Sequence, residues 1–433
     1  MVDNIFCMGN FRNRALKAFT GGISNGEYGL EAEDIYVIAR GKGCKLWDTS
    51  GREFIDFSMA WGSCLVGHGR PEVVEAVSKQ APMGSNFAHL NNHVLELAEE
   101  IQSISPAAEK LRFCASGTEA NMYCQRVARG YTGRNKILKF EGAYHGSDET
   151  GVTSLFPNQM LDFPTPEPTS AGILGVDNLL LVAPYNDLQT THQIIERYKH
   201  EIAAVIIEPL QRCIPPEEGF LEGVRRICTN NDVLLIFDEV VTGFRLAYGG
   251  AQEYYGIVPD LIAYGKAMGG GYPIGAFGGK KEIMEMVNER RIGGDNYVWM
   301  ASTLGGNPIS SIAALAALSV YRQPKTYERL HQLGKYLRQG MGKVLSLRQL
   351  KGQIIGDGPL AQVVFTEEPA INYRTINKGN KKLVSKTLLS LFRKGVFLNP
   401  MGSKLYLSIA HNEEVINDFL GRFDEALGEV VVT

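Results

Sequence analysis

The chain has 433 residues, more than one hydrophobic core usually serves, so one large and one smaller domain with ample core are expected. Its 44 basic and 47 acidic residues leave a net charge of −3 and no basic tract stands out, which argues against nucleic acid or an anionic membrane as a partner. No apolar run approaches the roughly 18 to 20 residues that span a bilayer, and the opening Met1 to Cys7 lacks the charged start and long apolar segment of a signal peptide, so a soluble cytoplasmic protein is expected.

The first twenty or so residues, with Arg12, Arg14 and Lys17, read as a short helix or arm leading to Gly21-Gly22. Segments 35–39, 44–47 and 54–57 are strand-like and are parted by Gly41-Lys42-Gly43 and Asp48-Thr49-Ser50-Gly51, the pattern of an antiparallel meander. Amphipathic helices are predicted over 71–80, where Val73, Val74 and Val77 share a face, and over 93–104. From Leu111 strands and helices alternate: strand 111–115, helix 119–129, strands 136–140 and 179–183, helix 188–199, strand 205–208, helix 221–230, then strands 234–237 and 261–264. That alternation predicts a mostly parallel sheet covered by helices. Segment 156–174, rich in Pro, Thr and Ser, reads as a long loop, and a helix over 309–321 closes a large domain of residues 61–322. After Gln323-Pro324 a long helix (326–345), several strands and a terminal helix from Glu413 form a small domain, 323–433, which residues 1–60 complete. The seven cysteines are odd in number, scattered and without a CxxC pair, so they read as reduced thiols, and no metal site is expected.

Leu234 to Phe237 is a continuous apolar run bounded by polar residues, as a strand buried on both faces requires, and Asp238 follows it. Leu261 to Tyr264 is a second such run, followed by Lys266 and the flexible Gly269-Gly270-Gly271. Ligands of open α/β sheets lie beyond the carboxyl ends of the strands, so both side chains are expected at one crevice. They stand 28 positions apart, room enough for a helical crossover. A carboxylate and a lysine converging in a cleft suit a Schiff base of pyridoxal 5'-phosphate (PLP) on the lysine, with the acid holding the pyridinium nitrogen protonated. On these two residues alone, a helix-capping Asp and a solvated loop Lys account for the pattern as well. Ser116-Gly117-Thr118 follows a strand and opens a helix, offering a phosphate free N–H groups, partial positive charge and two hydroxyls, although the same residues with Glu119 also make an ordinary cap. Tyr144, at the same edge of the sheet, offers an aromatic face to a planar ring or to packing.

Taken in order, Ser-Gly-Thr-Glu-Ala-Asn at 116–121, Tyr-His-Gly at 144–146, Glu208-Pro209, Asp238-Glu239-Val240 with Thr242-Gly243-Phe244-Arg245, Lys266, and Ser302-Thr303-Leu304-Gly305-Gly306-Asn307-Pro308 resemble the class III (subgroup II) PLP-dependent aminotransferases. Within that family the look is that of glutamate-1-semialdehyde 2,1-aminomutase and its transaminase relatives, from about residue 20 through Ser408-Ile409-Ala410-His411 to the end. The resemblance implies the PLP-dependent transferase fold type I, with a mostly parallel seven-stranded sheet in the large domain and a small α+β domain built from both chain ends. It also implies PLP as cofactor and a homodimer with shared active sites, acting on a small-molecule amino donor and a carbonyl acceptor. Lys266 and Asp238 would be the catalytic pair, with Lys266 shuttling the proton. Ser116, Gly117 and Thr118 would hold the phosphate, Tyr144 would stack on the ring, His145 would hydrogen-bond behind it, Glu208 would sit near the phenolic oxygen, and Thr303 would reach the phosphate of the neighbouring subunit. Trp61 matches a pocket aromatic of the aminomutase group.

Two positions depart from that group. The arginine that binds the substrate carboxylate in aminomutases has its counterpart near Tyr28, with no arginine between Gly21 and Ile38. The glutamate that precedes their Ser-x-Ala-His segment is replaced by Met401-Gly402-Ser403-Lys404-Leu405, so Ser403 becomes a substrate candidate. Gln211-Arg212 follows Glu208-Pro209-Leu210 where relatives usually have a glycine at the second place, so Arg212 is either a cation at the cleft mouth or a solvated surface residue. The expected activity is ping-pong transamination from an amino-acid donor such as glutamate to a small, sugar-like or otherwise specialised aldehyde or ketone. The aminomutase is the alternative, and a non-catalytic scaffold on the same fold is the alternative of another class.

Overall fold

In the computed structural model, which describes residues 11–26, 29–157, 159–294, 296–400 and 402–432, the three N-terminal strands β1 (Ile38–Lys42), β2 (Lys45–Asp48) and β3 (Glu53–Asp56) pair antiparallel in succession. The first begins three residues later than the apolar pattern predicts. Asp34 and Ile35 lie at the end of a tight turn instead, where both carboxylate oxygens of buried Asp34 accept from Arg393 at 2.8 and 2.7 Å.

The alternating region forms a seven-stranded sheet of β4 (Lys110–Cys114), β5 (Lys136–Phe140), β6 (Leu180–Ala183), β7 (Ile202–Ile207), β8 (Leu234–Asp238), β9 (Leu261–Tyr264) and β10 (Gly275–Gly279). Their spatial order is β4-β10-β9-β8-β7-β5-β6, and only β10 runs against its neighbours. Side chains alternate between the faces of a strand, and here both faces are covered: Leu235 and Phe237 enter one core with Ile262 and Val205, while Ile236 enters another with Ala263 and Ala204. This is why the predicted strands read as unbroken apolar runs. Strand β10 does not read that way, because it is Gly-Ala-Phe-Gly-Gly. A Cβ on Gly275 would sit 2.2 Å from the carbonyl oxygen of Ser116, so the close approach of β10 to the loop after β4 demands glycine there.

Toward the C-terminus come β11 (Gln353–Ile355), β12 (Leu360–Val364), β13 (Val396–Phe397) and β14 (Lys404–Tyr406). Strands β11, β12 and β14 make a small antiparallel sheet, whereas β13 pairs in parallel with β3, Val396 facing Ile55, and so joins the two ends of the chain. Helices Thr326–Leu347 and Glu413–Val432 cover these strands as predicted. A further helix, Lys381–Arg393, occupies a stretch expected to hold only strands; its lysine-rich start masks the face formed by Leu388, Leu391 and Phe392. Among the described residues no helix is long and apolar enough to cross a membrane.

Candidate active site

The carboxyl ends of five parallel strands deliver the site. Strand β8 ends in Asp238, which pairs with Ala263 of β9, and Lys266 follows three residues later. Asp238 is buried, and its Oδ2 accepts from Asn121 Nδ2 and from His145 Nδ1, both at 2.8 Å, while Oδ1 accepts from the Val240 N–H at 3.0 Å. Asn121 also donates to the carbonyl of His145 at 2.9 Å, which ties the helix Gly117–Thr132 to the loop after β5. His145 Nε2 is buried and has no hydrogen-bond partner among the described residues.

The loop after β4 enters that helix through Ser116, whose Oγ accepts from the Glu119 N–H at 3.2 Å while Glu119 Oε2 accepts from the N–H of Ser116 at 3.1 Å. The cap and the expected phosphate seat therefore coexist. Ser116 serves the cap, and the N–H groups of Gly117 and Thr118, in the first turn, have no acceptor within the helix. A Cβ on Gly117 would meet Val240 at 2.6 Å, and Gly265, just before Lys266, packs against Gly117, so the helix start and the lysine are neighbours. The loop of Tyr144 and His145 touches the same turn through the Ser147 N–H, which donates to Thr118 Oγ1 at 3.3 Å.

Glu208, after β7, is buried with both oxygens engaged, Oε1 by the Tyr144 N–H and Oε2 by the Arg212 N–H, each at 2.8 Å. Through these bonds it holds a turn and also fixes Tyr144. Burial alone would raise its pKa, but Lys404, Arg212 and His145 outweigh that and hold it below the usual carboxylate range. Half-buried Lys266 makes no hydrogen bond or ion pair among the described residues. Desolvation lowers its pKa and favours the neutral, nucleophilic amine, while Asp238 and Glu208 pull the other way. A buried carboxylate, a desolvated lysine and a helix N-terminus with open N–H groups are a donor set that fits PLP, and the open Nε2 of His145 leaves the site's polar groups incomplete without a ligand.

The other candidates scatter. Trp61 is half-buried in a run of left-handed residues, Met59 (φ 45°), Ala60 (φ 51°) and Trp61 (φ 58°), with its ring against Gly26. Gln211 is fully buried and donates to the Glu141 carbonyl at 2.8 Å, which braces the loop, and its Oε1 is buried with no hydrogen-bond partner among the described residues. Arg212 and Ser403 adopt left-handed backbone, φ 59° and 48°. Thr303 is exposed, in a loop whose carbonyl accepts from Asn86 at 3.1 Å. Tyr28 lies outside the described residues.

Three residues escaped the sequence reading. Asn121 stood in a quoted motif without a role, since helical position alone does not show that it reaches Asp238. Lys139 is fully buried in β5 and its Nζ donates to the carbonyls of Thr150, Gly151 and Thr153 at 3.2, 2.9 and 2.6 Å, pinning the segment that follows Tyr144 and His145. Lys404 opens β14, 7% exposed, and its pKa is pulled down to about 7 by burial and by Arg212. A signal existed for both lysines: each is a charge inside a strand otherwise apolar on the faces it buries.

The family model described as Aminotransferase class-III matches residues 29–427. A glutamate-1-semialdehyde 2,1-aminomutase of Aquifex aeolicus is 36% identical over 427 residues, covering 96% of this chain and 98% of that one. The crystal structure of an omega-transaminase from Sphaerobacter thermophilus superposes with a TM-score of 0.91 at 33% identity, covering 98% of this chain and 97% of the other. A solved transaminase with PLP bound superposes with a TM-score of 0.87 at 27% identity over 98% of this chain and 97% of its own.

Proposed function

Since the chain belongs to the class III aminotransferase family and is a PLP-dependent enzyme of fold type I, we propose that it runs intermolecular amine transfer, from an amino-acid donor such as glutamate to the aldehyde or ketone of a small acceptor, by a ping-pong mechanism. The observation that carries this reading is the stretch before Ser408. Where the resemblance places the aminomutase glutamate stands Ser403, and the next side chain is the buried Lys404, not an acid.

PLP, when bound, supplies an electron sink for the bond that breaks at the amine-bearing carbon. In this reading Lys266 Nζ would accept the proton from that carbon, and its lowered pKa favours the neutral amine that can do so. Asp238 holds a proton on the ring nitrogen, and Asn121 and His145 fix the carboxylate for that contact. The N–H groups of Gly117 and Thr118, with the hydroxyls of Ser116 and Thr118, hold the phosphate; Tyr144 covers the ring from the loop that Glu208 and Lys139 brace. Thr303 serves the neighbouring subunit of a homodimer. Without a glutamate to help switch cofactor states in place, the keto product leaves between half-reactions and a second substrate enters.

The aminomutase is the second reading, favoured by the 36% identity to the Aquifex aeolicus enzyme over nearly its whole length. One measurement separates the two. Glutamate should convert the pyridoxal form to the pyridoxamine form and release 2-oxoglutarate, double-reciprocal plots for donor and acceptor should be parallel, and glutamate-1-semialdehyde alone should give negligible 5-aminolevulinate. Efficient donor-free formation of 5-aminolevulinate would replace the transaminase by the mutase. Borohydride reduction should fix the cofactor to the Lys266 peptide under either reading.

A further inference from the structure

Two cations stand at this site without a carboxylate of their own. Arg212 is half-buried, and although Glu208 holds its backbone N–H at 2.8 Å, its guanidinium makes no hydrogen bond or ion pair among the described residues. Lys404 is 7% exposed, and its ammonium likewise finds no partner among them. Leu210 and Cys213, either side of Arg212, pack in one cluster with Tyr406, two residues after Lys404, and the Arg212 N–H is bonded to Glu208, so the two segments meet beside Glu208. Glu208 sets one negative charge against the two cations, but both its oxygens are bonded to backbone N–H groups and neither cation makes a hydrogen bond to it, while Asp238 is held by Asn121 and His145. Burial and Arg212 draw Lys404 toward its neutral form, and an anion held between the two side chains would favour its charged form again. The left-handed backbone at Arg212 and at Ser403, just before Lys404, sets the directions of the two side chains at a conformational cost.

We propose that Arg212 and Lys404 form an anion subsite that receives a carboxylate of the substrate. The inference rests on the aminotransferase reading for the identity of the molecule, and it narrows the substrate class to amino and keto acids with a carboxylate able to reach beyond the carbon that reacts at Lys266. The guanidinium offers a planar fork to one carboxylate edge and the ammonium a point charge to the other, which suits a single carboxylate held between two loops.

The test uses the PLP-loaded protein and glutarate, a dicarboxylate that cannot react. Calorimetry should show glutarate binding to the wild type, at least tenfold weaker binding to Lys404→Gln and to Arg212→Gln, and recovery to within about threefold in Lys404→Arg. In the donor half-reaction both glutamine variants should raise the KM for glutamate at least tenfold more than the KM for 2-aminobutane, which has no carboxylate. Equal glutarate affinity in wild type and both variants, or none in the wild type, overturns the subsite. Should Lys404→Gln fail to retain cofactor, Arg212→Gln alone decides by the same criterion. Failure of glutamate to form the pyridoxamine enzyme, with glutarate binding still lost in the variants, leaves the subsite standing and removes the aminotransferase reading instead.

Discussion

A buried carboxylate stays charged only where neighbours donate to it, and Asp238 receives three such bonds, from Asn121, His145 and the Val240 N–H. Asp238→Asn keeps the shape but removes the charge and turns one acceptor into a donor facing the Asn121 amide. A charge-assisted hydrogen bond is worth roughly 1.5 to 3 kcal/mol, so kcat/KM should fall by about 10- to 150-fold. Near-normal turnover of that variant in steady-state assays would reject the pairing of Asp238 with the ring nitrogen. Lys139 poses the opposite problem, a cation with only carbonyls around it. Burial depresses its pKa from the ordinary lysine value to about 7, with Glu208, Asp148 and Asp238 resisting and Arg212 assisting. Because the folded pKa lies below the unfolded one, the unfolded chain binds the extra proton between about pH 7 and 10, and stability from this group rises with pH across that window. Lys139→Met lacks the titration but leaves three carbonyls unpaired, so it should lower the melting temperature overall. Its deficit against the wild type should widen from pH 7 to pH 9, and a deficit independent of pH in calorimetry would mean that Lys139 is not depressed.

At the level of elements, the start of helix Gly117–Thr132 can serve two jobs with neighbouring atoms. Its capping box spends Ser116 Oγ on Glu119, leaving the N–H groups of Gly117 and Thr118 for an anion. Ser116→Ala should therefore cost about 0.5 to 2 kcal/mol of stability, seen in the melting temperature of the cofactor-free protein, before any loss of cofactor affinity is counted. A variant that binds PLP less tightly yet melts with the wild type would assign Ser116 to the phosphate alone. The same region shows what was legible beforehand. Strands such as β8 and β9 are readable because burial on both faces makes every position apolar, and Asp238 and Lys266 stand out as the first polar groups beyond them. Strand β10 was not readable, because the contact with Ser116 requires glycine and glycine mimics a flexible loop. Lys404 was passed over for its neighbour Ser403: the resemblance pointed to the position where a glutamate is missing, while the alternation of Leu405 and Leu407 into the small core, which turns Lys404 to the other side, becomes meaningful only once β14 is known to pass the site.

On the scale of the whole molecule, one surface remains unexplained by a single chain. Leu90 and Trp299 are 71% and 65% exposed, and Met83, Phe87 and Leu304 are exposed near them, in loops joined by hydrogen bonds from Asn86 to the Thr303 carbonyl and from Asn91 to the Gly306 carbonyl. Large apolar side chains exposed in neighbouring loops suit an interface, and Thr303 stands exposed in the same loops. In the homodimer proposed above, a second copy would bury these side chains and Thr303 would reach the phosphate site of that copy. Complementation tests this directly. In a mixed dimer, a Lys266→Ala chain still lends Thr303 to its partner, and a Thr303→Ala chain still holds Lys266 for itself. One of the two sites is then complete, whereas neither homodimer has any. Random one-to-one reassociation makes half of the dimers mixed, so about a quarter of all sites should be restored, measured as turnover against either variant alone. If Thr303 acts within its own chain, the mixed dimer has no complete site and mixing recovers nothing. Leu90→Asp combined with Trp299→Asp should shift the sedimenting species to a monomer and release the cofactor while leaving helical content unchanged, because neither side chain contributes to a core.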